Sequence, residues 1–308
     1  MTQLKRKFLL MGKSGAGKTS MRSIVFANYV PRDTERLGAT VDVERSHIRF
    51  LGDLVLSLWD CGGQDMYMDN FLGAQRDNIF DDVGAMIYVF DVQFLTKNDT
   101  KDWNYFRNCV ESIAAKSPQA KIFCLFHKMD LIHEAKRDAV FKERKHAVDS
   151  AGLPLPVECF RTSIWDESLY RAWSCVVSTL VPNSESLAHR LEQFCAACEA
   201  DEVVLFERAT FLVIAHATLR AHDDAHRFEK ISNIIKQFKL SCAKSRAQFE
   251  SLQLQSASLT ALIDGFTPYT CVMLVSSESM VHPATTWLNV NQARSQFGRI
   301  LASGLHPN

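Results

Sequence analysis

Gly12-Lys13-Ser14-Gly15-Ala16-Gly17-Lys18-Thr19-Ser20 is the stretch that decides the fold of this chain. It follows Phe8-Leu9-Leu10-Met11, a short apolar run that reads as a buried strand, and it precedes a helix-like stretch from Met21 to Tyr29. Strand, glycine-rich turn and helix with the spacing G-x-x-x-x-G-K-T form the P-loop pattern in its supporting context. Each residue type has a physical task. The glycines let the backbone approach a phosphate closely. Exposed N–H groups and the helix N-terminus cradle the anion. Lys18 reaches the terminal phosphates, and the Thr19 hydroxyl is a hard oxygen ligand for Mg²⁺.

Working outward, 308 residues are enough for two domains with ample core. Lys+Arg and Asp+Glu are both 35, so no electrostatic binding to nucleic acid or an anionic membrane is expected. The apolar share, 47%, is that of a folded globular protein. The nine cysteines are scattered, and Cys195 and Cys198 form a lone C-x-x-C on an apparent helix. They read as core thiols in a reducing compartment. The N-terminal residues lack the apolar core of a signal peptide, and no apolar run is long enough to span a bilayer. Neither Thr2 nor the C-terminal end signals lipidation, so any membrane location is expected to come through a partner.

Further along, Pro31 to Val43 is polar and holds Thr34 and Thr40. Ser46–Phe50 and Val55–Trp59 read as a hairpin turned at Gly52-Asp53. Its second strand runs into Asp60-Cys61-Gly62-Gly63-Gln64. D-x-x-G alone is a weak signal, but after a P-loop it has a function. Asp60 would hold Mg²⁺ through water, the Gly63 N–H would sense the terminal phosphate, and Gln64 would orient the attacking water. A helix is expected within 65–82, a strand over 83–91, a helix over 100–115 and a strand over 121–126. The last strand runs into His127-Lys128-Met129-Asp130. Asp130 could accept both guanine ring N–H donors while Lys128 packs along the base; by itself the tetrapeptide also reads as a charged surface turn. A helix over 134–151, a strand over 157–161, Thr162-Ser163-Ile164 and a helix over 168–180 complete the series. Strands alternating with helices predict a mostly parallel sheet with helices on both faces. Every candidate site residue then falls at a strand C-terminus, where such sheets bind ligands.

Asp33-Thr34, the run Leu37 to Val43, Leu58 to Asp65 and His127 to Asp130 resemble the Rag small GTPases. So do Ala200-Asp201-Glu202, Leu205 to Thr210 and Arg227 to Cys242. The likeness is to the A/B type rather than the C/D type and fades after Val275. The resemblance implies GTP/GDP and Mg²⁺ as ligands. Ser14, Gly15, Gly17, Lys18, Thr19 and Ser20 would contact phosphate and metal, with Thr40 and Asp60 completing the metal set. Thr34, Thr40, Gly63 and Gln64 would belong to the two switches, with Gln64 catalytic. His127, Lys128, Asp130 and Ile164 would meet the base. His127 stands where most small GTPases have Asn, as is usual for Rags. Ser14 stands where Ras often has Gly, so slow intrinsic hydrolysis is expected. No arginine finger in cis is assignable, which implies a GAP, and an exchange factor, in trans.

Pro182-Asn183-Ser184 is the expected boundary between a small GTPase domain, 1–182, and a second domain, 183–308. Apolar residues at helical spacing from Leu187 to Cys198 precede strand-like stretches over 203–207 and 210–216. A long amphipathic helix over 227–248 carries Phe228, Ile231, Ile234, Ile235 and Phe238 on one face. Strands over 253–262 and 269–276 and a helix over 284–301 follow. His216, His222 and His226 have no Cys or carboxylate at ligand spacing and are not read as a metal site. The resemblance implies an α+β roadblock-type dimerisation domain that pairs with a C/D-type Rag. It also implies a role in relaying amino-acid availability to TOR complex 1 at the lysosomal or vacuolar membrane, through a membrane-anchored scaffold. A metabolic NTPase would need a second-substrate pocket with a base or arginine, and none is legible. A scaffold with a vestigial site is opposed by intact Lys18, Thr19, Asp60, Gln64 and Asp130.

Overall fold

A computed structural model describes residues 4–51, 54–93, 100–179, 181, 184–220, 227–245, 250–255, 260–277 and 283–303. The first half runs β1 (Leu4–Met11), α1 (Lys18–Phe26), β2 (Val43–Leu51), β3 (Leu54–Cys61), α2 (Asp65–Leu72), α3 (Arg76–Phe80), β4 (Val83–Asp91), α4 (Thr100–Lys116), β5 (Lys121–His127), α5 (Glu134–Asp149), β6 (Val157–Thr162) and α6 (Ser168–Ser178). Its six strands form one sheet in the order β2-β3-β1-β4-β5-β6. β1, β4, β5 and β6 pair in parallel, with Met11 opposite Tyr88, Asp91 opposite His127, and His127 opposite Thr162. That register lines up the C-terminal ends of three adjacent strands, which positions the site. The polar stretch 31–43 contains a 3₁₀ turn over Pro31–Arg36, started by Pro31 with its fixed φ and closed by Leu37 N–H on the Thr34 carbonyl.

The core explains why these elements hold. β3 is buried along its whole length and β4 nearly so, as near-continuous apolar strands in the middle of a covered sheet should be. Tyr88 and Phe90 of β4 meet Phe106 of α4 with ring centroids 5.1 and 5.4 Å apart, both edge-on. The hairpin strands are longer than the apolar pattern alone suggested: β2 begins at Val43 and runs through the exposed polar residues Glu44 and Arg45 before the expected start at Ser46. Gly52 and Asp53, the expected turn, lie outside the described residues.

The second half runs α7 (Ser184–Ala197), β7 (Glu202–Glu207), β8 (Val213–Thr218), α8 (Arg227–Lys244), β9 (Ser251–Gln255), β10 (Thr260–Thr267), β11 (Thr270–Ser276) and α9 (Pro283–Ser303). Its sheet has the order β8-β7-β11-β10-β9, antiparallel throughout. β8 begins three residues later than the apolar run suggested. The Glu207 carboxylate accepts from Ala209 N–H, Thr210 N–H and the Thr210 hydroxyl, at 2.9, 2.7 and 2.6 Å, and so closes a turn over Thr210. The stretch expected as one strand over 253–262 is two strands, β9 and β10, paired antiparallel. Ile231 and Ile235 of α8 pack against Val204, Phe206, Ile263 and Met273 of the sheet. Ile234 and Phe238 are exposed, and the Phe228 side chain lies outside the described residues. His222, His226, Pro182 and Asn183 also lie outside them. The fold is thus α/β with a mostly parallel P-loop sheet, followed by a unit built on an antiparallel sheet. Two compact units result, one built on Lys5–Ile48 and Val55–Ala172, the other on the chain from Trp173 onward with the facing ends of β2 and β3. Among the described residues no helix is long and apolar enough to cross a membrane.

Candidate nucleotide and metal site

The turn between β1 and α1 has the conformation its glycines allow. Gly15 and Gly17 take φ of +79° and +95°, and a Cβ on Gly17 would lie 2.7 Å from the His127 ring. Lys18 is buried, and its ammonium group donates to the Gly12 and Lys13 carbonyls at 2.7 and 2.9 Å. Those two bonds fold the side chain back over the turn. Burial lowers its pKa, against the opposing pull of Asp60. Ser14 and Gly15 are exposed at the mouth of the turn, and Ser20 is half-buried in the first turn of α1. The N–H groups of that first turn have no intrahelical acceptor and mark an anion site at the helix end.

The segments around Thr40 and Gly63 both touch this turn. The Thr40 hydroxyl lies 2.6 Å from the Thr19 hydroxyl. Gly63 accepts from the Ser14 N–H at 2.8 Å, and a Cβ there would lie 2.3 Å from Gly12, Lys13 and Ser14 backbone atoms. Only glycine permits that approach. Gly62 N–H donates to the Asp42 carbonyl at 2.6 Å, so the two segments also bind each other. Gln64 is exposed and precedes α2, where its carbonyl accepts from Tyr67 and Met68. Thr34 is not part of this cluster: its hydroxyl donates to the Pro31 carbonyl at 2.7 Å within the 3₁₀ turn.

Asp60 is the most informative residue. It has no exposed surface, and neither carboxylate oxygen makes a hydrogen bond of good geometry. Burial raises its pKa, opposed by the Thr19 hydroxyl and by the charges of Lys18 and Arg22. A buried carboxylate left without directed donors, beside two facing hydroxyls, matches the hard-oxygen set that a Mg²⁺ ion takes. Thr19, Thr40 and Asp60 therefore fit the metal. Sequence reasoning missed Arg22, whose Nε lies 3.2 Å from Asp60.

The neighbouring strand ends build the second half of the site. His127 is buried, its ring against Gly17 and its Nδ1 2.9 Å from the Thr162 hydroxyl. Burial lowers its pKa to about 4, so the imidazole is neutral and ties the turn to β6. Lys128 takes φ +63° and pairs with Asp91 at 2.6 Å. Asp91, at the end of β4, had no assigned role from sequence; its partner follows only from the register of β4 and β5. Asp130 accepts from the Ser163 hydroxyl at 2.6 Å, which in turn accepts from Trp165 N–H at 3.1 Å. Ser163 thus aims the Asp130 carboxylate. Ile164 is half-buried beside it.

The Gtr1/RagA G protein conserved region matches residues 7–235. Ras-related GTP-binding protein A of Dictyostelium discoideum is 53% identical over 300 residues, covering 97% of this chain and 99% of that protein. GTP-binding protein gtr1 of Schizosaccharomyces pombe is 53% identical over 293 residues, 94% of each chain. GTP-binding protein gtr2 of the same yeast is 29% identical over 237 residues, 75% of this chain and 72% of that protein. With the region match spanning most of the length and relatives more than 50% identical over nearly the whole chain, the chain belongs to the Gtr1/RagA family of G proteins.

Proposed function

We propose that this chain is a slow, GAP-dependent GTPase of the Rag A/B type that works as a guanine-nucleotide switch, with a GTPase domain over 1–182 and a roadblock-type dimerisation domain over 183–308. The observation that supports it most is that Thr40 and Gly63, one from each switch segment, both rest on the P-loop. Ser14, Gly15, Gly17, Lys18 and Ser20 bind the phosphates. Thr34 joins the nucleotide from the first switch. His127 positions the turn while Lys128, Asp130 and Ile164 receive the base. Gln64 orients the attacking water. Thr19, Thr40 and Asp60 would hold Mg²⁺ when GTP is bound, and the ion would supply positive charge against the phosphate oxygens. Thr40 and Gly63 close on the γ-phosphate, and its loss releases them. Ser14 keeps unaided hydrolysis slow, and a GAP and an exchange factor act in trans.

Family context extends the reading. The chain pairs with a C/D-type Rag through its C-terminal domain and relays amino-acid availability to TOR complex 1. It is cytoplasmic and is recruited to the lysosomal or vacuolar membrane by a membrane-anchored scaffold. The existence of gtr2-type relatives supports the pairing. Competition between GDP and ADP for the purified protein tests the nucleotide reading. GDP should win, and Asp130→Asn should reduce its advantage by about 10- to 100-fold, the worth of a lost charged hydrogen bond. Equal affinity for both nucleotides in the unaltered protein refutes it.

A further inference from the structure

Arg22 lies on α1, four residues beyond Lys18 on the helix that leaves the P-loop. Its guanidinium is shared three ways. Nη2 donates to Glu44 at 2.7 Å and Nη1 to the Ser46 hydroxyl at 3.1 Å, both on β2, while Nε sits 3.2 Å from Asp60 Oδ2. The third contact differs in kind. Neither Arg22 Nε nor either Asp60 oxygen makes a directed hydrogen bond, although all three atoms are buried. The pair is therefore held by charge alone, without the geometry that makes arginine–carboxylate pairs strong. Asp60 has no exposed surface, and a buried carboxylate needs a neighbouring cation. Lys18 and Arg22 both supply one, and Arg22 can yield its share because Glu44 and Ser46 retain the other end of the guanidinium.

We propose that Arg22 is a resident counter-cation for Asp60 that competes with the divalent metal and couples metal loading to strand β2. This rests on the reading of Thr19, Thr40 and Asp60 as the metal site. A divalent ion near the Thr19 and Thr40 hydroxyls draws on the same carboxylate that Arg22 neutralises, and the two cations repel each other. Metal binding therefore pushes Arg22 toward Glu44 and Ser46, which directly follow the first switch in sequence. Arg22 is a positioning residue that sets metal affinity; it does not touch the reacting atoms.

The test is the rate of release of fluorescent GDP from the purified protein as free Mg²⁺ is varied. Arg22→Gln should shift the midpoint to about tenfold lower Mg²⁺, because a competing charge is gone. Arg22→Lys should stay near the unaltered midpoint. Glu44→Gln changes a half-exposed side chain and frees Arg22 to pair more closely with Asp60, so its midpoint should move the other way, to higher Mg²⁺. This variant carries the test if Arg22→Gln does not fold. Unchanged midpoints in Glu44→Gln, or in a folded Arg22→Gln that retains GDP at saturating Mg²⁺, overturn the proposal. If the unaltered protein retains no GDP at any Mg²⁺ concentration, the nucleotide reading itself fails, which is a distinguishable result.

Discussion

Gly17→Ala tests how tightly the P-loop is packed against the His127 side chain at the end of β5. Gly17 sits at φ +95°, so a side chain there carries backbone strain of about 1–2 kcal/mol. Its Cβ would also lie 2.7 and 2.9 Å from two atoms of the His127 ring. The ring must then retreat by roughly 0.7 Å to reach ordinary contact distance. Nδ1 is already 2.9 Å from the Thr162 hydroxyl, so a shift of that size costs the hydrogen bond, worth about 0.5–1.5 kcal/mol. The sum is about 1.5–3.5 kcal/mol, which in nucleotide affinity is about 10- to 400-fold. Gly15→Ala is the control. Its φ of +79° is strained too, but nothing lies within 4 Å of its Cβ. It should therefore show only the backbone part, about 5- to 30-fold. Affinity for fluorescent GDP, measured for both variants and for each combined with His127→Ser, separates the two effects. His127→Ser should couple to Gly17→Ala and not to Gly15→Ala. A Gly17→Ala defect no larger than that of Gly15→Ala, or no coupling to His127, refutes the packing argument.

Three further outcomes are expected. Thr19→Asn removes the hydroxyl facing Thr40 and should weaken Mg²⁺–GTP relative to GDP by at least about tenfold, read by nucleotide competition at fixed Mg²⁺. Gln64→Leu should slow GAP-stimulated hydrolysis by about 10²-fold or more while leaving GTP affinity unchanged, measured by single-turnover phosphate release. His127 also gives a pH signature. Its pKa falls from 6.5 to about 4 on folding, so the unfolded chain binds the proton first and stability drops as pH falls through that window. The loss approaches about 3 kcal/mol by pH 4. Denaturant midpoints of the His127→Asn protein should fall less steeply than those of the unaltered protein between pH 6.5 and 4, and parallel curves would contradict the assignment.

Much of the site was legible because each segment carries its own local signal. Lys18 and Thr19 follow a strand and open a helix, and Asp60 and His127 close apolar strands, so the alternation of strand and helix alone brings them to one edge. What escaped depends on register and helix phase. Arg22 has no motif to mark it; only the rotation of α1 places its guanidinium beside Asp60. Asp91 was visible at the end of an apolar strand, but its pairing with Lys128 needs β4 beside β5 in the observed register. In the second unit, 253–262 read as one strand because Ser256 to Leu259 contains no Gly, Pro, Asn or Asp to signal a break. The late start of β8 arose from Glu207, a buried carboxylate that organises the turn before it. The bond from the Thr34 hydroxyl to the Pro31 carbonyl was likewise illegible, because it depends on the 3₁₀ turn that Pro31 starts.

The central claim is that this chain switches on guanine nucleotide while paired with a second, C/D-type chain. Native mass spectrometry of the protein taken from its own cells under mild conditions measures both at once. A heterodimer carrying GDP or GTP is the predicted result. A monomer carrying adenine nucleotide, or none, would contradict the function while leaving the fold intact.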